Sequence, residues 1–165
     1  MRVGEALRLL RDDVDLDAGV LTVRSGKGNR SRLIPLHRSA TAALKRYAER
    51  RDRLCPAPRA CTFFVSTVGT AVHYSLVCTT FRQLVGTIVA APAAHPRIHD
   101  LRHTFTVRTL VDLHRAGRDV QAHIAVLSTY LGHVNPAGTY WYLSAAPALM
   151  ELAAARLGRH LGGTS

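Results

Sequence analysis

The segment His99-Asp100-Leu101-Arg102-His103-Thr104-Phe105 constrains this chain more than any other stretch, because its residues suit the opening of a packed, charged helix. Pro96 lies just upstream, where a non-helical lead-in is expected, and Asp100 falls where a carboxylate suits the positive end of the helix dipole. A helix begun here runs over residues 99–115, and Gly117 supplies its stop. His99 and Arg102 are i and i+3 and share a face. Leu101 and Phe105 are i and i+4 on a different face, which predicts that they anchor the helix in a core. An imidazole beside a guanidinium on a packed helix suits an anionic oxygen, a phosphate above all.

Charge points the same way. The 165 residues carry 22 Lys+Arg against 11 Asp+Glu, a formal net charge of +11. That excess, mostly arginine, favours a polyanionic partner, nucleic acid before an anionic membrane. The length suits one domain, and 47% hydrophobic residues are enough for its core. Cys55, Cys61 and Cys78 form an odd set without C-x-x-C spacing, which predicts reduced thiols in a cytoplasmic protein and no zinc site. No signal peptide is evident and no apolar run is long enough to cross a bilayer.

In chain order, residues 1–10 have helical spacing, with Val3, Ala6, Leu7 and Leu10 on one side and Arg2 and Glu5 at i and i+3 on another. No capping residue precedes them, so the first amides lack an obvious partner and the helix reads as cut by the start codon. Residues 12–17 carry turn-forming carboxylates. Residues 20–24 and 31–36 read as strands joined by a turn over 25–29, a hairpin with Lys27 and Arg30 at its tip and Pro35 at its end. Gly26-Lys27-Gly28 lacks the spacing and hydroxyl of a Walker loop. Ser39 is the expected cap of a helix over 40–54 whose basic face is solvated. A loop over 55–60 and a short apolar strand over 62–66 follow. Residues 74–89 form a helix with Leu76, Val77, Phe81, Leu84, Val85 and Ile88 at core spacing. Beyond the central helix come a helix over 120–131 ending at Gly132-His133, a short helix around 139–142, an amphipathic helix over 147–157, and a loose tail over 158–165. The fold class is mainly α with a small antiparallel β-sheet, built from the hairpin and the strand near 63–65, in one domain over 1–157.

Several of these pieces, taken in order, resemble the catalytic domain of the tyrosine recombinases, the phage integrase family. Arg2 stands in R-V-G-E, similar to the family's first arginine motif, and Lys27 in G-K-G-N matches its hairpin lysine. His99 and Arg102 match H-x-x-R, and His133 follows Leu131-Gly132 as in the family's L-G-H. Tyr142 lies nine residues after that histidine, at the family's nucleophile spacing.

The resemblance implies site-specific recombination of double-stranded DNA with neither metal nor cofactor, as in phages and other mobile elements. A tyrosine oxygen, from Tyr142, attacks the scissile phosphorus, leaving a 3′-phosphotyrosyl link and a free 5′-hydroxyl. With no metal in that scheme, fixed cations must stabilise the phosphorane. Arg2 and Arg102 hold its nonbridging oxygens and His133 donates a further hydrogen bond. Lys27 protonates the departing 5′-oxygen, and His99 takes or shares the tyrosine proton, a role open to a neutral imidazole near pH 7. Glu5 orients Arg2. The resemblance also implies a homo-oligomer on DNA, docked through the helix over 147–157, whose Ala148, Leu149, Leu152 and Ala153 form an apolar stripe.

Competing assignments remain at several positions. Tyr140 and Tyr130 are alternative nucleophiles, with Tyr140 and Trp141 also suited to packing. His99 and His103 are i and i+4, a metal-binding spacing without a third ligand or an H-E-x-x-H glutamate. Ser128 and Ser144 have no histidine–aspartate arrangement to activate them. Relatives usually carry a separate N-terminal DNA-clamping domain and a helix leading into the first arginine, both expected to be absent here, so the alternative reading is a DNA-binding remnant, catalytically silent because Arg2 is not held. A type IB topoisomerase-like relaxation activity shares the chemistry and is a third.

Overall fold

The computed structural model describes residues 1–24, 31–88 and 96–132. Lys27, His133, Tyr140, Tyr142, the short helix around 139–142 and the helix over 147–157 lie outside the described residues. The chain divides into two compact units between His99 and Asp100.

The first unit opens with helix α1 (Val3–Leu7), shorter than the pattern over 1–10 predicts. Its first amide does have a partner: the Arg2 N–H donates to Glu5 Oε2 at 2.7 Å, so the side chain three residues on caps the helix from within. Beyond α1 the chain turns to bury Leu9 and expose Leu10, reversing the predicted face. Leu10 instead joins Thr62 in an isolated β-bridge, flanked by hydrogen bonds from Phe63 N to Leu9 O (2.7 Å) and Arg11 N to Cys61 O (3.2 Å). Residues 62–66 therefore clip onto the α1 exit and do not join the sheet, against the sequence expectation.

That sheet has strands β1 (Val14–Asp15), β2 (Val20–Val23) and β3 (Arg32–Pro35), antiparallel in the order β1-β2-β3. The carboxylate-rich stretch expected only to turn thus also supplies a strand; Asp15 makes the turn by accepting from Asp17 N and Ala18 N. Leu21 pairs with Ile34 and Val23 with Arg32, and Leu21, Val23 and Ile34 form the buried face. Pro35 pairs with Val20 at the end of an edge strand, where a missing N–H is tolerated.

Helix α2 (Arg38–Leu54) is capped by His37, not Ser39: His37 Nδ1 accepts from Ser39 N at 3.3 Å. Most of its cations are solvated, but Arg51 is buried against the Phe63 ring and donates to Phe63 O at 2.8 Å. Its remaining edge forks onto Asp52 at 2.8 and 2.9 Å. After α2, Gly69 (φ 78°) sits where an added Cβ would lie 2.9 Å from Cys55 Sγ and 3.0 Å from Pro58 Cα, so only glycine fits. Helix α3 (Tyr74–Ile88) has the predicted length, yet no residue of it is buried; Leu76, Leu84 and Ile88 are exposed, contrary to the core role predicted for them.

The second unit holds α4 (Asp100–Arg115) and α5 (Val120–Leu131). Gly117 (φ 68°) ends the first, and Asp119 caps the second by accepting from Gln121 N at 2.9 Å. Leu110, Ile124, Leu127 and Leu131 form the core, with Val107, Val111 and Val120 packed against it. The buried face of α4 thus runs through Arg102, Thr106 and Leu110, while Leu101 (58% exposed) and Phe105 (43%) lie outside it. The predicted anchor face is corrected: α5 offers its aliphatic stripe to the side of α4 that carries the valines and Leu110.

This register is testable. Leu110→Ala opens a cavity at a fully buried site and is expected to cost about 2–5 kcal/mol in urea unfolding. Leu101→Ala is expected to stay within about 0.5 kcal/mol; a larger loss for Leu101 than for Leu110 would put the core on the other face.

Candidate functional site

In the first unit the structure brings Arg2 and Glu5 together and adds a residue that sequence reasoning did not single out, Arg32. Glu5 is buried, and its carboxylate collects donors from two directions. Arg2 contributes its backbone N–H (2.7 Å to Oε2) and Nη1 (3.3 Å to Oε1). Arg32 contributes Nη2 (2.8 Å to Oε2) and Nη1 (3.4 Å to Oε1), a fork across both oxygens. Strand parity explains the meeting, since Arg32 shares the buried face of β3 with Ile34 and its side chain is only 12% exposed. A cation carried into a sheet's buried face requires an anion there. The Arg2 side chain is about one-third exposed, so this guanidinium is anchored yet within reach of solvent.

In the second unit Arg102 is 9% exposed in the first turn of α4 and its Nη1 donates to Leu131 O at 2.7 Å. That carbonyl belongs to the last turn of α5, where carbonyls have no helical partner and the dipole is negative. Gly132 follows in the left-handed conformation (φ 76°), and its N–H donates to Ser128 O and Thr129 O. Arg102 is therefore tied to the backbone two residues before His133 in sequence, and the bond to a neutral carbonyl does not cancel its charge. Thr106, fully buried, back-bonds to Arg102 O at 2.8 Å and packs beneath it. Tyr130, an alternative nucleophile, stacks on Phe105 (5.7 Å between centroids), and burial pushes its hydroxyl pKa up, which opposes ionisation.

His99 falls one residue short of α4 and is exposed. It lies on the rim of a cleft of about 440 Å³ between α3 and the segment leading to α4, lined also by Tyr74, Phe81, Arg82 and Arg97. Three side chains able to bear positive charge thus border one opening, an arrangement that suits an anion. Arg32 was detectable in the sequence only through its parity with Ile34, a signal masked because Leu33 on the opposite parity is equally apolar.

Burial pushes the Glu5 carboxyl up, but the hydrogen bonds from Arg32 and Arg2 and the charges of both guanidiniums outweigh it and hold the carboxyl below its ordinary value of 4.5. A depressed folded-state pKa adds stability that is fully present above the unfolded value and is lost as pH falls through the folded value. Glu5→Gln is therefore expected to be less stable than wild type by about 1.5–3 kcal/mol at neutral pH. The gap should close as the pH drops below about 4.5 in urea unfolding. A gap that is independent of pH would show that the carboxylate charge carries none of it.

Residues 1–148 match the phage integrase family. A Sinorhizobium fredii protein assigned as an integrase/recombinase, y4rB, is 42% identical over 163 residues, covering 96% of this chain and 52% of the relative. Tyrosine recombinase XerC of Chlorobaculum parvum is 31% identical over 147 residues, covering 86% of this chain and 40% of the relative. The crystal structure of XerA recombinase is 29% identical and superposes with a TM-score of 0.76, covering 94% of this chain and 53% of that one. The chain spans about half the length of the curated relatives it matches. Helices and a small antiparallel sheet, with an arginine held at the start of α1 and another in the first turn of α4, thus have a shared origin: the chain belongs to the phage integrase family, the tyrosine recombinases.

Proposed function

We propose that this chain carries the catalytic machinery of site-specific DNA recombination, cutting and rejoining duplex DNA through a phosphotyrosyl intermediate. The observation that carries the reading is that both family-matched arginines are held in defined geometry, Arg2 by the buried Glu5 carboxylate and Arg102 by the Leu131 carbonyl. Guanidiniums fixed before substrate arrives stabilise developing charge without reorganisation, each worth about 3 kcal/mol.

In this reading the Tyr142 oxygen attacks the scissile phosphorus as its proton passes to His99. The bond to the 5′-oxygen breaks, and Lys27 supplies the proton that makes it a hydroxyl. Arg2, Arg102 and His133 bind the nonbridging oxygens of the phosphorane. The phosphotyrosyl ester keeps the bond energy, and attack by a second 5′-hydroxyl reverses the steps and releases Tyr142. The net charge of +11 supports a duplex DNA substrate held largely through phosphates. XerH, a structural neighbour of the same fold, is described in a post-cleavage complex with its palindromic difH substrate. A homo-oligomer on DNA, docked through residues 147–157, and a cytoplasmic location complete the proposal; among the described residues no helix is long and apolar enough to cross a membrane.

A nicked suicide substrate, which on cleavage loses the short fragment that carries the free 5′-hydroxyl, tests the reading. The expected result is a covalent protein–DNA adduct that maps to Tyr142, is abolished by Tyr142→Phe, and leaves salt-dependent DNA binding intact in that variant. DNA binding without any adduct would favour the catalytically silent remnant. An adduct on Tyr140 or Tyr130 would reassign the nucleophile.

A further inference from the structure

Glu5 and Arg2 alone make a neutral pair, and a neutral pair is a poor ligand for a phosphorane. Two features of Arg32 bear on this. It faces the same carboxylate from β3, through Nη2 at 2.8 Å and Nη1 at 3.4 Å, so the trio of Arg2, Glu5 and Arg32 bears a formal charge of +1. Its Nε is buried with no hydrogen-bond partner among the described residues. A pair selected for stability alone would avoid a buried, unsatisfied N–H, which generally costs free energy.

We propose that Arg32 is a positioning residue: by sharing the Glu5 carboxylate it leaves the charge of Arg2 available to a phosphate and keeps Glu5 from drawing that guanidinium away from it. The proposal rests on the cleavage reading above. It also gives β3 a function beyond pairing. The strand opens with the residue that shares the partner of Arg2, so β3 contributes directly to holding that guanidinium.

Without Arg32, Glu5 has Arg2 as its remaining ion-pair partner. The carboxylate then competes with the scissile phosphate for one guanidinium, and the local formal charge falls from +1 to 0. The loss should therefore be greatest where the transition state carries most negative charge, a dependence that a general loss of folding would not produce.

The test compares wild type, Arg32→Gln, Arg32→Lys and the neutral isosteric pair Glu5→Gln/Arg32→Gln, the last guarding against loss of fold. Adduct formation is timed on two suicide substrates, one with a normal scissile phosphodiester and one with a methylphosphonate, which lacks one nonbridging oxygen and its charge. In parallel, the side-chain Nε–H signal of Arg2 is followed by NMR in ¹⁵N-labelled protein. For Arg32→Gln the expected result is a fall of about tenfold or more on the phosphodiester. The fall on methylphosphonate should be much smaller, Arg32→Lys should recover much of the rate, and the Arg2 signal should shift. An equal fall on both substrates, or Arg32→Lys no better than Arg32→Gln, overturns the proposal. An unchanged Arg2 signal in Arg32→Gln overturns it whether or not the chain cleaves DNA. If wild type forms no adduct on either substrate while the Arg2 signal does shift, the cleavage reading fails and the positioning by Arg32 stands.

Discussion

A single buried carboxylate, Glu5, holds the first unit of this protein to its chemistry. Burying an ionised carboxyl is costly unless its oxygens are saturated with donors, and here three guanidinium N–H groups from two arginines and one backbone amide supply that. The consequences run outward in both directions. The backbone bond from Arg2 starts α1, which spans only five residues and would not hold as an isolated helix. The fork from Arg32 brings an arginine onto the buried face of β3 beside Ile34, and so sets which way that strand faces. Capping, register and the placement of a candidate catalytic cation rest on one side chain.

The second unit solves the same problem with different chemistry. Arg102 is nearly buried, and its guanidinium donates to a neutral acceptor, the Leu131 carbonyl in the last turn of α5. A helix C-terminus suits a cation through its unpaired carbonyls and its dipole, so the bond serves both α5 and the guanidinium. Gly132 then takes a left-handed turn that leads the chain to His133. A charge held by a carbonyl is not neutralised by it, whereas a charge held by a carboxylate is. That difference is the physical reason the Arg2–Glu5 pair gains from a second cation such as Arg32.

Much of this was legible in the sequence. The limits of α3, α4 and α5 follow from periodicity and from Gly117 and Gly132, and the motif residues run in the family's order. Faces were less legible. Periodicity weights Leu101 and Phe105 above Thr106 and Arg102, yet a helix packs on the face its neighbour covers, and α5 covers the face with Leu110, Val107 and Val111. The apolar spacing of α3 reads as core for the same reason, although Leu76, Leu84 and Ile88 are exposed. Arg51 could not be told from the solvated arginines beside it in α2, because only the tertiary approach of Phe63 singles it out. Arg32 sits in a strand with apolar residues on both parities, so Leu33 masks the signal of its inward direction, its parity with Ile34.

In the function proposed, Arg2 and Arg102, anchored by different means, serve one phosphate. A crystal structure of the protein on cleaved duplex DNA with vanadate, which takes the place of the scissile phosphorus and imitates its five-coordinate state, tests this most directly. The account predicts both guanidiniums within hydrogen-bonding distance of the equatorial oxygens, with the Tyr142 oxygen at one apex and the 5′-oxygen at the other. Vanadate bound by Arg102 while Arg2 remains turned to Glu5 alone would contradict it.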